Sequence, residues 1–209
     1  MISNTQFIEG ITSKLGFPYI YGGIGLVYSE KDIRELAKQY PSVYTSLYLK
    51  TTLEKGAGKQ GFDCSGLLKY FLWGNPSASF RYDPATDLTA DRLFGKAAVK
   101  GPIETMPDIP GVCVRYPGHV GCYAGKGNVI EARGVNYGVV STRLSERPWT
   151  HWYQCPGVEY AKQPDIETWR ETIQKHCGFS APERIWAVVD AYEYGRDWYL
   201  KWAQSYSGM

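Results

Sequence analysis

The stretch Gly61-Phe62-Asp63-Cys64-Ser65-Gly66-Leu67-Leu68 puts a cysteine where a turn gives way to a helix. Gly61 and Asp63 interrupt what precedes, and Leu67, Leu68, Phe71 and Leu72 then recur at helical spacing. A thiol in a first helical turn sits at the positive end of the helix dipole, beside backbone N–H groups without intrahelical partners. Both features favour the thiolate, the nucleophilic form. Further on, Pro117-Gly118-His119-Val120-Gly121-Cys122-Tyr123 starts a short strand with a histidine, a side chain able to act as a base near neutral pH. Cysteine and histidine in this order are candidates for acyl transfer through a thioester.

Phe62-Asp63-Cys64-Ser65-Gly66-Leu67, followed by Gly118-His119-Val120-Gly121 with Tyr123 and Gly125, resembles the NlpC/p60 family of bacterial cell-wall cysteine peptidases. Pro18-Tyr19-Ile20-Tyr21-Gly22-Gly23 is similar to that family's Pro-Tyr-x-Tyr/Trp-Gly-Gly segment. The resemblance covers residues 1 to about 155. It implies a papain-like α+β core, Cys64 as nucleophile, His119 as base, and Tyr21, Asp63 and Ser65 at the substrate cleft. Equivalents of the last three bind the free amine of an N-terminal L-alanine in some members. The family's third polar residue usually falls twelve positions after the histidine and is often a second histidine; here that position holds Glu131.

Hairpin geometry tests Glu131. Gly125-Lys126-Gly127 reads as a three-residue loop, so that Ala124 faces Asn128, Tyr123 faces Val129 and Gly121 faces Glu131. Glu131 then becomes a diagonal same-face neighbour of His119, roughly 7 Å away between Cα atoms, within reach to orient the imidazole. The competing reading leaves Glu131 as a solvated strand residue. Asp63 likewise reads as a helix cap as well as an amine ligand, and the two roles are compatible. Cys113, Cys122, Cys155 and Cys177 read as buried small hydrophobes, and His151 and His176 as structural. No metal-ligand spacing joins any of these, and no cofactor is implied.

Composition bounds the rest. The 209 residues carry a net charge of +2 without a basic run, which does not point to nucleic acid as a partner. Five cysteines follow no disulfide framework. No apolar run reaches membrane-spanning length, and the first ten residues lack the pattern of a signal peptide. The expected route to the wall is therefore non-classical or phage-type release, or action on wall fragments in the cytoplasm. The 17 tyrosines and 7 tryptophans suit a groove for peptide or sugar.

Along the chain, residues 3–16 predict a first helix with Phe7, Ile8, Ile11 and Leu15 inward. A helical insert spans about 29–55: Ser29 and Asp32 cap one helix that Pro41 stops, and a second runs from Val43 to Leu53. Residues 87–94 predict a short helix. Residues 111–116, 119–124, 128–132 and 137–142 predict strands, which together with the Cys64 helix make a helix packed on an antiparallel sheet. Residues 161–209 predict a small helical appendage to a catalytic domain of residues 1–160, with at least two of Trp169, Trp186, Trp198 and Trp202 docked on it or forming a binding surface. The expected activity is hydrolysis of a peptidoglycan stem-peptide amide, the D-γ-glutamyl to diamino acid bond by resemblance. An amidase or acyltransferase on the same scaffold and a non-catalytic wall-binding or effector protein are the alternatives.

Overall fold

The computed structural model describes residues 2–74 and 81–160. Strand β1 (Ile2–Ser3) runs into helix α1 (Asn4–Thr12), which Ser3 and Gln6 start as a capping box. Phe7, Ile8 and Ile11 are buried along one face of α1. The helix stops four residues short of the predicted end. The hydroxyls of Thr12 and Ser13 bond back to the carbonyls of Ile8 and Gly10, and Gly16 adopts φ +84°. Leu15 consequently lies outside the helix and is exposed, contrary to the predicted inward face.

Strand β2 (Ile24–Tyr28) pairs antiparallel with β3 (Lys59–Phe62), and the helical insert fills the connection between them. Helix α2 (Glu30–Gln39) begins with the expected capping box of Ser29 and Asp32. Helix α3 (Ser46–Gly56) starts three residues later than the periodicity predicts. The Thr45 hydroxyl takes the Tyr48 N–H and makes Thr45 the cap. Tyr44 therefore packs from the loop, donating its hydroxyl to the Tyr21 carbonyl at 2.9 Å, while Leu47 faces solvent.

Helix α4 (Cys64–Trp73) follows β3 directly, and α5 (Ala90–Lys96) begins behind a Thr89 cap rather than at residue 87. Strands β4 (Lys100–Pro102), β5 (Cys113–Tyr116), β6 (His119–Gly125), β7 (Asn128–Gly134), β8 (Gly138–Arg143) and β9 (His151–Tyr153) form one antiparallel sheet in the order β4-β9-β5-β6-β7-β8. A last strand, β10 (Val158–Glu159), lies parallel to β1. The architecture is α+β. One sheet face, with Val120, Cys122, Ile130 and Ala132, packs against Phe7 and Ile11 of α1 and Leu67, Leu68 and Phe71 of α4. Each Val, Ile, Leu or Phe among them contributes about 1.5–3 kcal/mol by leaving water. The other face gathers Val114, Tyr123, Val129 and Trp149.

The β6–β7 turn differs from the predicted loop. Its two central residues are Lys126 and Gly127, both with positive φ (54° and 72°) as a type I′ turn requires, and a bulge falls at Ala124. Beyond the bulge the register is the expected one, with Tyr123 opposite Val129 and Cys122 opposite Ile130. The side-chain parity of His119 and Glu131 is thus preserved. The helices predicted after residue 160, and their four tryptophans, lie outside the described residues.

Candidate active site

Asp63 builds the start of α4. Its Oδ1 accepts the Gly66 N–H at 2.6 Å and the Ser65 hydroxyl at 3.1 Å, and its Oδ2 accepts the Gly22 N–H at 3.1 Å. The Asp63 N–H in turn donates to the Gly23 carbonyl at 2.8 Å. One residue thereby caps the helix and ties its first turn to the Tyr21-Gly22-Gly23 segment. Gly66 permits this approach, since a Cβ there would stand 2.0 Å from the Gly23 carbonyl oxygen. Cys64 is the first residue of the helix, half-buried, with Sγ 3.9 Å from the carbonyl oxygen of Gly118 in the turn before His119.

Burial pushes the Cys64 thiol up to about 12, and the Asp63 charge adds to it; the backbone N–H groups of Val120, Ser65 and Cys64 act in the opposite direction but do not prevail. Burial and the Asp63 charge thus oppose the expectation that its place at a helix start would favour thiolate. That expectation counted the helix dipole and omitted the capping carboxylate beside the sulfur. Burial also raises Asp63 above its ordinary value, despite the Gly66, Ser65 and Gly22 hydrogen bonds and the nearby Lys69 charge.

His119 is the first residue of β6, at the end of the sheet next to the start of α4. Its Nε2 lies 2.7 Å from Glu131 Oε2. Glu131 is fully buried on β7, not on a solvated face. Its other oxygen accepts from the Thr142 hydroxyl at 2.8 Å and from Arg147 Nε at 3.0 Å. Burial alone would raise the Glu131 carboxyl, but the His119 and Thr142 hydrogen bonds, with the His119 and Arg147 charges, hold it below the ordinary carboxylate range. The imidazole is flanked by Tyr116 at 5.0 Å and Trp149 at 5.7 Å between ring centres, both stacked. Since Nε2 is committed to a carboxylate, it carries the proton, and Nδ1 remains as the basic nitrogen.

Cys64 and His119 line one cavity of about 240 Å³, together with Tyr21, Asp63 and Ser65. All six residues singled out in the sequence therefore belong to one locale: five on the cavity wall, and Glu131 behind His119. The sequence reading missed Tyr40, Lys69 and Asp87 on the same wall. Tyr40 comes from the end of α2 and packs edge-on against Tyr21 at 5.2 Å, so the insert does border the cavity. Lys69 is almost wholly buried on α4 and forms an ion pair with Asp87, whose second oxygen accepts the Tyr82 hydroxyl at 2.9 Å. Also missed were Thr142 and Arg147. Thr142 pairs with Val129 and is diagonal to Glu131, which strand parity could have found. A buried carboxylate asks for a cation, but nothing in the sequence distinguishes Arg143 from Arg147.

A thiol at a helix start, a histidine oriented by a buried carboxylate and a shared cavity make a cysteine–histidine–carboxylate constellation on an α+β scaffold. Among the described residues no group of three or more histidine, cysteine or acidic side chains is placed to hold a metal ion, and no helix is long and apolar enough to cross a membrane. No protein-family model and no curated protein matches the chain. Among solved structures the chain is similar to the p60 domain of an antigen from M. avium subspecies paratuberculosis (24% identity, TM-score 0.45, 72% of this chain and 93% of that one). It is also similar to NlpC1 from Trichomonas vaginalis (18%, TM-score 0.44, 73% and 43%). A third likeness is to the NlpC/p60 domain of the peptidoglycan hydrolase SagA (16%, TM-score 0.42, 73% and 99%).

Proposed function

We propose that the protein is a thiol peptidase acting on peptidoglycan stem peptides. The observation that carries this reading is the 2.7 Å contact of Glu131 with His119 Nε2, which leaves Nδ1 as the free nitrogen of a residue lining the same cavity as Cys64. The sequence resemblance supplies the substrate class, and the names of several structural neighbours are consistent with it.

In this reading a stem-peptide amide enters the cavity, and the Cys64 thiol passes its proton to His119 Nδ1 as sulfur attacks the carbonyl carbon. Glu131 stabilises the imidazolium that forms. The Cys64 backbone N–H, at a helix start, is a donor for the developing oxyanion. His119 then protonates the leaving amine, which departs to leave a Cys64 thioester. Water, deprotonated by His119, cleaves the thioester and restores thiol and imidazole. The bond favoured by resemblance joins the D-glutamate side-chain carboxyl to the following diamino acid. Asp63, Tyr21 and Ser65 would meet a free N-terminal amine. Three of the roughly four acceptor directions on the Asp63 carboxylate are already used, which leaves room for one ammonium donor.

The test is digestion of defined muropeptides with and without a free N-terminal alanine, followed by mass spectrometry of the fragments, with Cys64→Ala as control. Cleavage at the γ-glutamyl bond that depends on Cys64 is the expected result. Cleavage elsewhere would replace the assigned bond, and turnover that survives Cys64→Ala would sink the thiol mechanism.

A further inference from the structure

Glu131 serves two nitrogen donors. Its Oε2 faces His119 Nε2 and its Oε1 faces Arg147 Nε, and the Arg147 fork extends past the carboxylate to donate from Nη2 to the Tyr116 hydroxyl at 2.6 Å. The guanidinium lies over the rings of Tyr116 (5.5 Å) and Trp149 (6.0 Å), the two rings that flank the imidazole. One arginine thus touches the carboxylate that orients His119 and both aromatic walls that hold it.

We propose that Arg147 is a positioning residue that offsets the charge of Glu131 and so disfavours a resting proton on His119 Nδ1, the nitrogen that would take the Cys64 proton. The charge count gives the reason. Glu131 and Arg147 together sum to zero, and a proton on His119 then adds an uncompensated charge to a buried cluster. Without Arg147, the same proton would pair with Glu131 and leave the cluster neutral, so the imidazolium would be the favoured resting state. A histidine already protonated cannot accept the Cys64 proton. The groups against the imidazole are Glu131 from β7, Tyr116 from β5 and Trp149 from the segment before β9, with Arg147 of that segment behind Glu131 and Cys64 of α4 on the same cavity wall. Burial raises the Tyr116 phenol, so it stays neutral, and Arg147 is the cation of this set at any working pH. In addition, Arg147 Nε and the Thr142 hydroxyl both hold one carboxylate oxygen, which turns the other toward the ring.

The imidazole titration of His119, followed by NMR in the Cys64→Ala protein, tests this without requiring turnover. It depends on the proposed peptidase activity only for its consequence on rate. In Arg147→Met the midpoint should move up by about one pH unit, and in Arg147→Lys, which keeps the charge, by no more than a few tenths. A Met variant with an unmoved or lowered midpoint overturns the proposal. If Arg147→Met does not fold, Glu131→Gln is compared with the doubly neutral Glu131→Gln/Arg147→Met, which removes both partners of the buried pair. The double variant should titrate at the higher pH, and equal midpoints again overturn the assignment. In the active protein the acid limb of kcat/KM should shift upward with Arg147→Met while Arg147→Lys retains the parental limb. Failure of the parent to cleave muropeptides would bear on the proposed function alone.

Discussion

Burial and the Asp63 charge raise the Cys64 thiol against the pull of the helix-start donors, so attack by its sulfur calls for a partner to take the proton. Replacing Cys64 by Ala should abolish turnover with the fold intact. In the unmodified protein Cys64 should still be alkylated by iodoacetamide before Cys113, Cys122 and Cys155, the other cysteines among the described residues, which are buried. His119→Ala should slow that alkylation at neutral pH by about tenfold or more and turnover by about two to four orders of magnitude. A Cys64 that reacts as fast without His119 would contradict the proton transfer. Glu131→Gln keeps a hydrogen-bond partner but loses the charge, and should cut turnover by about one to two orders, less than His119→Ala does. The same substitution has a stability signature. The folded Glu131 carboxyl lies below its ordinary value of 4.5, so its contribution is fully present above that value and is lost as pH falls through the lower folded one. The difference in urea-unfolding free energy between parent and Glu131→Gln should therefore narrow as the solution is acidified below 4.5. A gap that persists unchanged into strong acid would mean that the charge of Glu131 is not what stabilises the fold.

The elements present Cys64 through one tight crossing, that of the α4 start over the Gly22-Gly23 segment. Gly66→Ala would drive a methyl to 2.0 Å from the Gly23 oxygen and 3.0 Å from Asp63 Oδ1. A shift of the helix start is then unavoidable, with an expected loss of about 1–3 kcal/mol in thermal or urea unfolding and a fall in kcat beyond what the stability loss explains. An active, equally stable Gly66→Ala protein would show that this crossing does not set the position of Cys64. At this scale the sequence was informative wherever the governing interaction was local. The Ser29 capping box and the side-chain parity of β6 and β7 are both read from residues a few positions apart. The errors arose where a short side chain competed with periodicity. Thr45 and Thr89 took the cap and moved the helix starts, and the Thr12 and Ser13 hydroxyls ended α1 early. Lys126 in the left-handed region gave a two-residue turn with a bulge in place of three loop residues, a choice that a lysine does not announce.

At the scale of the molecule, the described residues are held together by long-range joints that local patterns do not reveal. The cavity is assembled from the Tyr21 segment, the insert, α4, the residues leading into α5, and the turn before β6. The motifs therefore pointed to Cys64 and His119 on its wall but not to Lys69, Asp87 or Tyr40, which folding brings there. Another joint is Tyr160, whose hydroxyl donates to the Gly111 carbonyl at 2.7 Å and accepts the Cys155 N–H at 2.9 Å. Tyr160→Phe leaves both groups without their partner and should cost about 1–3 kcal/mol in urea unfolding, with turnover at a permissive temperature unchanged. No loss of stability would mean that neither bond matters to the fold.

Strands β1 and β10 run side by side in the same direction, with Ile2 opposite Val158 and Ser3 opposite Glu159. Tension applied at residue 2 and residue 159 would drag these strands past each other in opposite senses. Their hydrogen bonds would bear the load together as a shear clamp instead of opening one by one like a zipper. The sheet and the Cys64 helix lie behind that clamp, so under a pull along the chain the clamp must slip before the site is distorted.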